Sequence, residues 1–242
     1  MRLPVIQGII RRRLLVNFRV NADVMRRFLP APFRPKLYDG HAIAGICLIR
    51  LEGIHPAGMP EFIGISSENA AHRIAVEWTD GNGGNLEGVF IPRRDTGSRL
   101  NYIAGGRLFP GVHHFASFTI TDDGAHIDLA MRSRDGDVAV HVRGSDADLL
   151  PATSCFPSLA ESSRFFEGGS LGYSVTRDAG RLDGLLLRTL DWRVRALDIE
   201  HVESSFFADR TIFPEGAVEF DHALVMRDIR HEWYEAEDMF TD

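Results

Sequence analysis

Short turns built on glycine and aspartate, set between β-prone runs, constrain this chain more than any other feature. Asp80-Gly81-Asn82-Gly83-Gly84-Asn85 joins the run 67–79 to the run 86–91, Asp122-Asp123-Gly124 joins 113–121 to 125–133, and Arg134-Asp135-Gly136-Asp137 leads on to 138–143. Gly, Asn and Asp adopt the backbone conformations that close a tight hairpin, and so short a connection joins antiparallel neighbours. Further β-prone runs at 14–20, 41–54, 171–176, 185–190 and 217–227 extend the pattern.

Helices are few. Asn21 caps a short one that carries Val24, Phe28 and Leu29 on one face and is ended by Pro30 and Pro32. Asp95 or Thr96 is expected to cap a central helix, with Leu100, Ile103, Ala104 and Leu108 as its apolar stripe and Pro110-Gly111 as its stop. A third covers 156–167, with Pro157 in its first turn. The acidic tail, about 232–242, is expected to fray or to form a solvated face. No linker divides the chain and no βαβα rhythm suggests a parallel sheet. The expectation is one α+β domain over residues 1–242, a mostly antiparallel β-barrel or cone with a few short helices. Ala42, Ala44 and Gly45 fit close backbone approach in such a wall.

Composition narrows the function. A net charge of −7 over 242 residues suits nucleic acid poorly. No apolar run of about 18 residues occurs, so no membrane span is expected, and the reading is cytoplasmic. Cys47 and Cys155 lie far apart with no CxxC pair and read as free thiols of a reducing compartment. No dinucleotide fingerprint, P-loop, GxSxG or HExxH pattern is present, and no cofactor is expected.

The candidate chemistry concentrates in 93–121. His113 and His114 open a strand, where adjacent side chains point to opposite faces, so the two cannot both line one pocket without a bulge. His114 shares its face with Ala116, Phe118 and Ile120, which favours a core position; the sequence leaves open which histidine meets a pocket. Glu68, in an apolar wall, would have a raised pKa and could act as acid or base. Arg107 and the Arg93-Arg94 pair could hold a substrate carboxylate in bidentate fashion, with an ion pair, for instance to Asp95, as the competing reading. His126 and His141 on the following strands could join His113 or His114 around zinc, but no ligand spacing supports it and no metal is expected.

The stretch LLVNFRVNADVMRRFLPAPFRPKLYDGHAIAGICLIRLEGI, together with GVFIPRRDTGSRLNYIAGGRLFPGVHHFA, resembles the YqjF-like domains of unknown function, in the acetoacetate-decarboxylase-like superfamily. The resemblance runs from about residue 10 to residue 230. It implies a decarboxylase-like fold, a pocket for a small organic acid or keto compound, and a possible homo-oligomer. In the decarboxylases a Gly-Phe-Pro-Lys-Lys segment supplies a lysine that forms a Schiff base with a β-keto acid, and its lysine neighbour lowers its pKa. Here Gly106-Arg107 matches the preceding Gly-Arg, and Gly111-Val112-His113-His114 stands, with a one-residue gap, where that segment belongs. Glu68 falls near the glutamate that positions substrate, and Asp95 resembles an acid before the helix. Imidazoles form no imine with ketones, and Lys36, the only lysine, matches no catalytic position. The expectation is a pocket protein without Schiff-base chemistry. It is either a lyase- or hydratase-type enzyme using His113 or His114 with Glu68 as acid–base groups and Arg107 as anion anchor, or a non-catalytic binding or structural barrel.

Overall fold

The computed structural model describes residues 4–104 and 110–241. In chain order it runs β1 (Ile6–Asn21), α1 (Ala22–Phe28), β2 (Arg34–Pro35), β3 (Leu37–Tyr38), β4 (His41–Pro56), β5 (Ile65–Thr79), β6 (Asn85–Thr96), α2 (Arg99–Ala104) and β7 (His113–Asp122). It continues with β8 (His126–Ser133), β9 (Ala139–Ala147), α3 (Leu159–Glu167), β10 (Leu171–Val175), β11 (Arg181–Thr189), β12 (Arg195–Ser204), α4 (Ser205–Ala208) and β13 (Val218–Phe240). The fold is mostly β-sheet with few, short helices, and the hairpins at 80–85, 122–125 and 134–138 join antiparallel partners as their turns require.

Two strands branch, and the branching decides where a site can lie. The near end of β13 pairs with β12 and its far end with β11, while β6 pairs with β10 through Val89–Ile91 and with β7 through Arg94–Thr96. The hydrogen-bonded pairings therefore trace two circuits that share β13, β1, β4, β5 and β6. The larger is completed by β7, β8, β9 and β12, the smaller by β10 and β11.

The larger circuit is filled. Leu14, Val16, Phe18, Ile74, Leu129, Met131, Val142 and Phe213 belong to one continuous buried cluster, and burial on that scale is the main stabilising term of the fold. The wall is thin where Gly45 faces β1: a Cβ there would stand 2.2 Å from the Val16 carbonyl oxygen, so only glycine permits the approach. On the far side of the shared strands α3 packs Phe165 and Phe166 with Leu15, Ile43, Cys47 and Phe156.

Several expectations need correction. β6 is parallel to both β7 and β10: the connection to β7 crosses over through α2, and β10 follows only after β7, β8, β9 and α3. Asp95 and Thr96 belong to β6 and cap no helix; Ser98 Oγ instead accepts the Asn101 N–H at 3.2 Å. Leu100 and Ile103 are exposed and form no core stripe, and Leu108 lies outside the described residues. The third helix starts at Leu159 behind its Ser158 cap. The acidic tail is strand: residues 231–240 pair with β11, whose arginines Arg181 and Arg188 meet Asp238 and Glu232. Among the described residues no helix is long and apolar enough to cross a membrane.

His72 sets a testable pH response. It is fully buried, its ring centroid lies 4.6 Å from that of Phe206, and neither ring nitrogen has a hydrogen-bond partner. Burial, helped by the charge of Arg93, pushes its pKa down to about 3, against about 6.5 in an unfolded chain. Below that unfolded value the open chain binds a proton that the native state refuses, so stability is lost as pH falls from about 6.5 toward 3. His72→Phe is expected to flatten this limb. Urea midpoints of both proteins at neutral pH and near pH 4.5 check it; an unchanged difference between them would refute the assignment.

Candidate functional site

The smaller circuit is not filled. It encloses a cavity of about 120 Å³ to which each of its seven strands contributes at least one residue, among them Arg13, Cys47, Arg73, Arg94, Gly172, Leu185 and Trp233. A cavity of about 150 Å³ accepts benzene, so the space suits a molecule of a few carbons. His113 enters from the start of β7, and Asn69, Asp95 and Asn101 complete the polar lining against Ile49, Leu51, Ile91 and Leu187.

The local sequence explains how His113 comes to face inward. Gly111 has φ +84°, its N–H donates to Asp183 Oδ2 at 2.9 Å, and a Cβ would lie 2.6 Å from that of Ser174. Only glycine makes this elbow, which turns the chain into β7 beside Arg94 of the parallel β6. His113 Nδ1 lies 3.3 Å from the Gly111 carbonyl. Burial, then the charge of Arg94, pulls its pKa down to about 4, so the imidazole is neutral at neutral pH. With Nδ1–H turned to the carbonyl, Nε2 is the basic nitrogen.

Arg94 donates through Nε to Ser174 Oγ at 2.9 Å, and burial lowers its pKa to about 10. Asp95 is fully buried and gripped by Arg93, with Nε and Nη2 at 3.1 and 3.0 Å from its two oxygens. Arg13 Nε lies 3.3 Å from Cys47 Sγ. Arg73 donates to Asn17 Oδ1 and lies with its guanidinium 4.7 Å from the centroid of the Phe166 ring.

The candidate residues thus divide. His113, Arg94 and Asp95 line the cavity. His114 points the other way, its Nδ1 2.7 Å from Asp135, itself held by Arg93. Glu68 also turns away: Arg12 lies 2.8 Å and Arg50 3.9 Å from its oxygens. Burial raises the Glu68 pKa against both arginines, as an apolar wall requires, but on the face opposite Asn69 and Ala71. Arg107 lies outside the described residues. His126 and His141 take separate carboxylates, Asp123 and Asp128, and among the described residues no three ligands gather for a metal.

Sequence reasoning missed Arg13 and Arg73. Arg13 was hidden in the Arg11-Arg12-Arg13 run, although strand alternation alone sends Arg12 and Arg13 to opposite faces. Arg73 stands inside the apolar run of β5, and a charge in such a place was the available signal. Also missed was a buried polar group: Ser162 Oγ lies 2.7 Å from His222 Nε2, and His222 Nδ1 lies 2.5 Å from Asp221 Oδ2. Its order is that of a hydrolase triad, but none of the three lines the cavity, and Asn17 Nδ2 also approaches Nε2 at 3.2 Å. The Asn17 oxygen is taken by Arg73, so its amide donates to Nε2 and His222 carries its proton on Nδ1. The group ties α3 to β13.

Solved structures share this fold. Acetoacetate decarboxylase from Legionella pneumophila aligns with a TM-score of 0.62 at 9% identity, covering 99% of this chain and 88% of that one. An acetoacetate decarboxylase-like enzyme from Sphingomonas wittichii RW1 gives 0.57 at 14% identity, covering 100% and 94%. The enduracididine biosynthesis enzyme MppR complexed with pyruvate gives 0.57 at 14%, covering 99% and 91%. At these identities the likeness is one of fold. No curated protein matches the sequence. Residues 9–217 match the model of the YqjF-like family DUF2071, described as an uncharacterized conserved protein, and the chain belongs to that family.

Proposed function

We propose that the smaller circuit acts as a cone whose cavity binds a small organic or keto acid, with Arg94 as carboxylate anchor and His113 as acid–base group. The observation that carries the reading is the cavity itself: it sets a neutral imidazole beside a half-buried guanidinium, between apolar walls. MppR has been solved with pyruvate and with a condensation product of pyruvate, so a protein of this fold accommodates such ligands. His113 Nε2 could take a proton from the carbon beside a carbonyl, leaving the electron pair as an enolate facing Arg94, and return it later. The domain is read as one unit over residues 1–242.

No imine is involved in this reading. Lys36 Nζ lies 2.8 Å from Glu87 Oε2 and 4.4 Å from the centroid of the Phe165 ring. It is held in that ion pair and does not line the cavity. Borohydride added with acetoacetate is expected to leave the protein's mass unchanged; an adduct on Lys36 would overturn this part.

A second reading, binding without catalysis, has its own support: Asp95, a carboxylate that lines the cavity, is locked by Arg93 and is not available as an acid–base partner for His113. One experiment separates the two. Pyruvate and acetoacetate are expected to raise the melting temperature of the protein, and deuterium from the solvent to enter the carbon beside their carbonyl, with exchange lost in His113→Ala. Stabilisation without exchange favours the binding reading; absence of any stabilisation sinks both. Saturation at 100 times Kd contributes about 2.7 kcal/mol, which a thermal scan resolves.

A further inference from the structure

The charges in the cavity do not balance, and, resting on the organic-acid reading above, we infer that its ligand carries two separated anionic groups, as a short dicarboxylate does. Arg13, Arg73 and Arg94 all line the cavity, and their polar partners are the Cys47 sulfur, the Asn17 amide oxygen and the Ser174 hydroxyl. None of the three has a carboxylate within 4 Å among the described residues. The one lining carboxylate among the described residues, Asp95, is held by Arg93. Asp183, the acid whose field reaches Arg94, is itself taken by Arg181 Nη2 and the Gly111 N–H, both at 2.9 Å.

Arg73 is buried and Arg13 and Arg94 are half-buried; cations withdrawn from water without a counter-charge are unfavourable, and a fold that maintains them is matched to anions from outside. One orphaned donor points the same way. Arg73, 4% exposed, has an Nε with no partner, and it lines the cavity.

The strand register fixes how the cations are spread. Arg13 on β1 pairs with Ile49 on β4, Cys47 on β4 with Ala71 on β5, and Ala71 with Arg94 on β6. Arg13 and Arg94 thus stand three strand spacings apart, about 14 Å measured along the curved sheet, on opposite sides of a floor made by Cys47 and Ala71. Arg13 reaches over the floor to Cys47, whereas Arg94 leans to the other side, onto Ser174 of β10. Arg73, two residues along from Ala71, backs the floor. Ile49, Leu51, Leu187 and Trp233 give the span between the flanks an apolar surface. A monocarboxylate satisfies one flank and leaves the other bare. Phosphate carries the charge but is too compact to meet both. A four- or five-carbon diacid matches the separation, the apolar middle and the volume.

Isothermal titration at pH 7 tests this with succinate, 2-oxoglutarate, pyruvate, acetoacetate and inorganic phosphate. The diacids are expected to bind at least tenfold tighter than the monoacids and than phosphate. In Arg13→Gln the ratio between diacid and monoacid affinities is expected to fall toward one, and Arg94→Gln, tested separately, guards against a single variant that fails to fold. Equal affinities for mono- and diacids overturn the inference and leave the organic-acid reading standing. Phosphate binding as tight as the diacids overturns the two-ended geometry. Binding of none of these anions overturns both.

Discussion

Asp221→Ala is expected to lower the unfolding free energy by about 3–5 kcal/mol, the usual cost of removing one member of a buried charged network. Asp221 is 1% exposed, and its two oxygens organise three separate pieces of chain. They accept the Ser154 hydroxyl at 2.7 Å, the Cys155 N–H at 2.8 Å and the His222 Nδ1–H at 2.5 Å, with Arg19 Nε at 3.4 Å. Alanine leaves the imidazole, the hydroxyl and the amide unmatched in a dry interior, and each lost partner carries a desolvation cost. The same carboxylate governs Cys155, whose thiol is pushed up to about 12 by burial and then by the charge of Asp221. Acid supplies a second signature. Burial alone would raise the Asp221 pKa, but its donors, led by His222, pull it down to about 2, against about 3.9 unfolded. A depressed carboxylate contributes stability that is present above the unfolded value and is lost as pH falls toward the folded one, here from about 4 to about 2. Asp221→Asn, which keeps the shape, is expected to be less stable at pH 7 and to lack that acid limb. Denaturant midpoints across pH measure both, and a loss below 1 kcal/mol in Asp221→Ala would refute the role.

What the sequence made legible, and what it did not, follows from the range of the forces involved. Hairpins such as 80–85 are local: Asp80 Oδ1 accepts the N–H groups of Asn82 and Gly84, four residues away at most, and composition reports this directly. The Asn21 cap is equally local, with Oδ1 receiving Asp23 and Val24. The parallel pairings of β6 are invisible in sequence because they depend on where a long crossover lands. The tail misled for a related reason. Its acids suggest solvation only until Arg181 and Arg188 of β11 are known to face them. At the site, the motif match pointed to His113 and His114 together, and strand alternation limited the pocket to one. Choosing His113 took Asp135, which draws His114 outward from 21 residues further on. Arg13 and Arg73 escaped because nothing within a strand says that two circuits share it, so that one face meets the filled core and the other the cavity.

Arg94→Gln is expected to weaken the binding of a small carboxylate about 10- to 100-fold while leaving the ligand-free protein as stable as before, or more stable by about 0.5–2 kcal/mol. The two halves have one cause. A hydrogen bond to a charged partner contributes about 1.5–3 kcal/mol, and that is a factor of about ten to a hundred or more in Kd. Without ligand the same guanidinium is a half-buried cation whose hydrogen bond among the described residues goes to the Ser174 hydroxyl, and its pKa is lowered to about 10 by burial. Glutamine keeps an N–H donor for Ser174 and removes the charge, so the native state sheds a desolvation cost that it otherwise bears. Residues held for function against stability show this opposition of signs, whereas a structural arginine such as Arg93, paired with Asp95 and Asp135, is expected to lose stability when changed. Melting temperatures of Arg94→Gln and Arg93→Gln, each with and without pyruvate, separate the cases. Should Arg94→Gln destabilise the ligand-free protein as much as Arg93→Gln does, Arg94 is part of the scaffold and the cavity loses its anchor. Should it gain stability and lose the ligand response, the unpaired charge is there to meet a carboxylate.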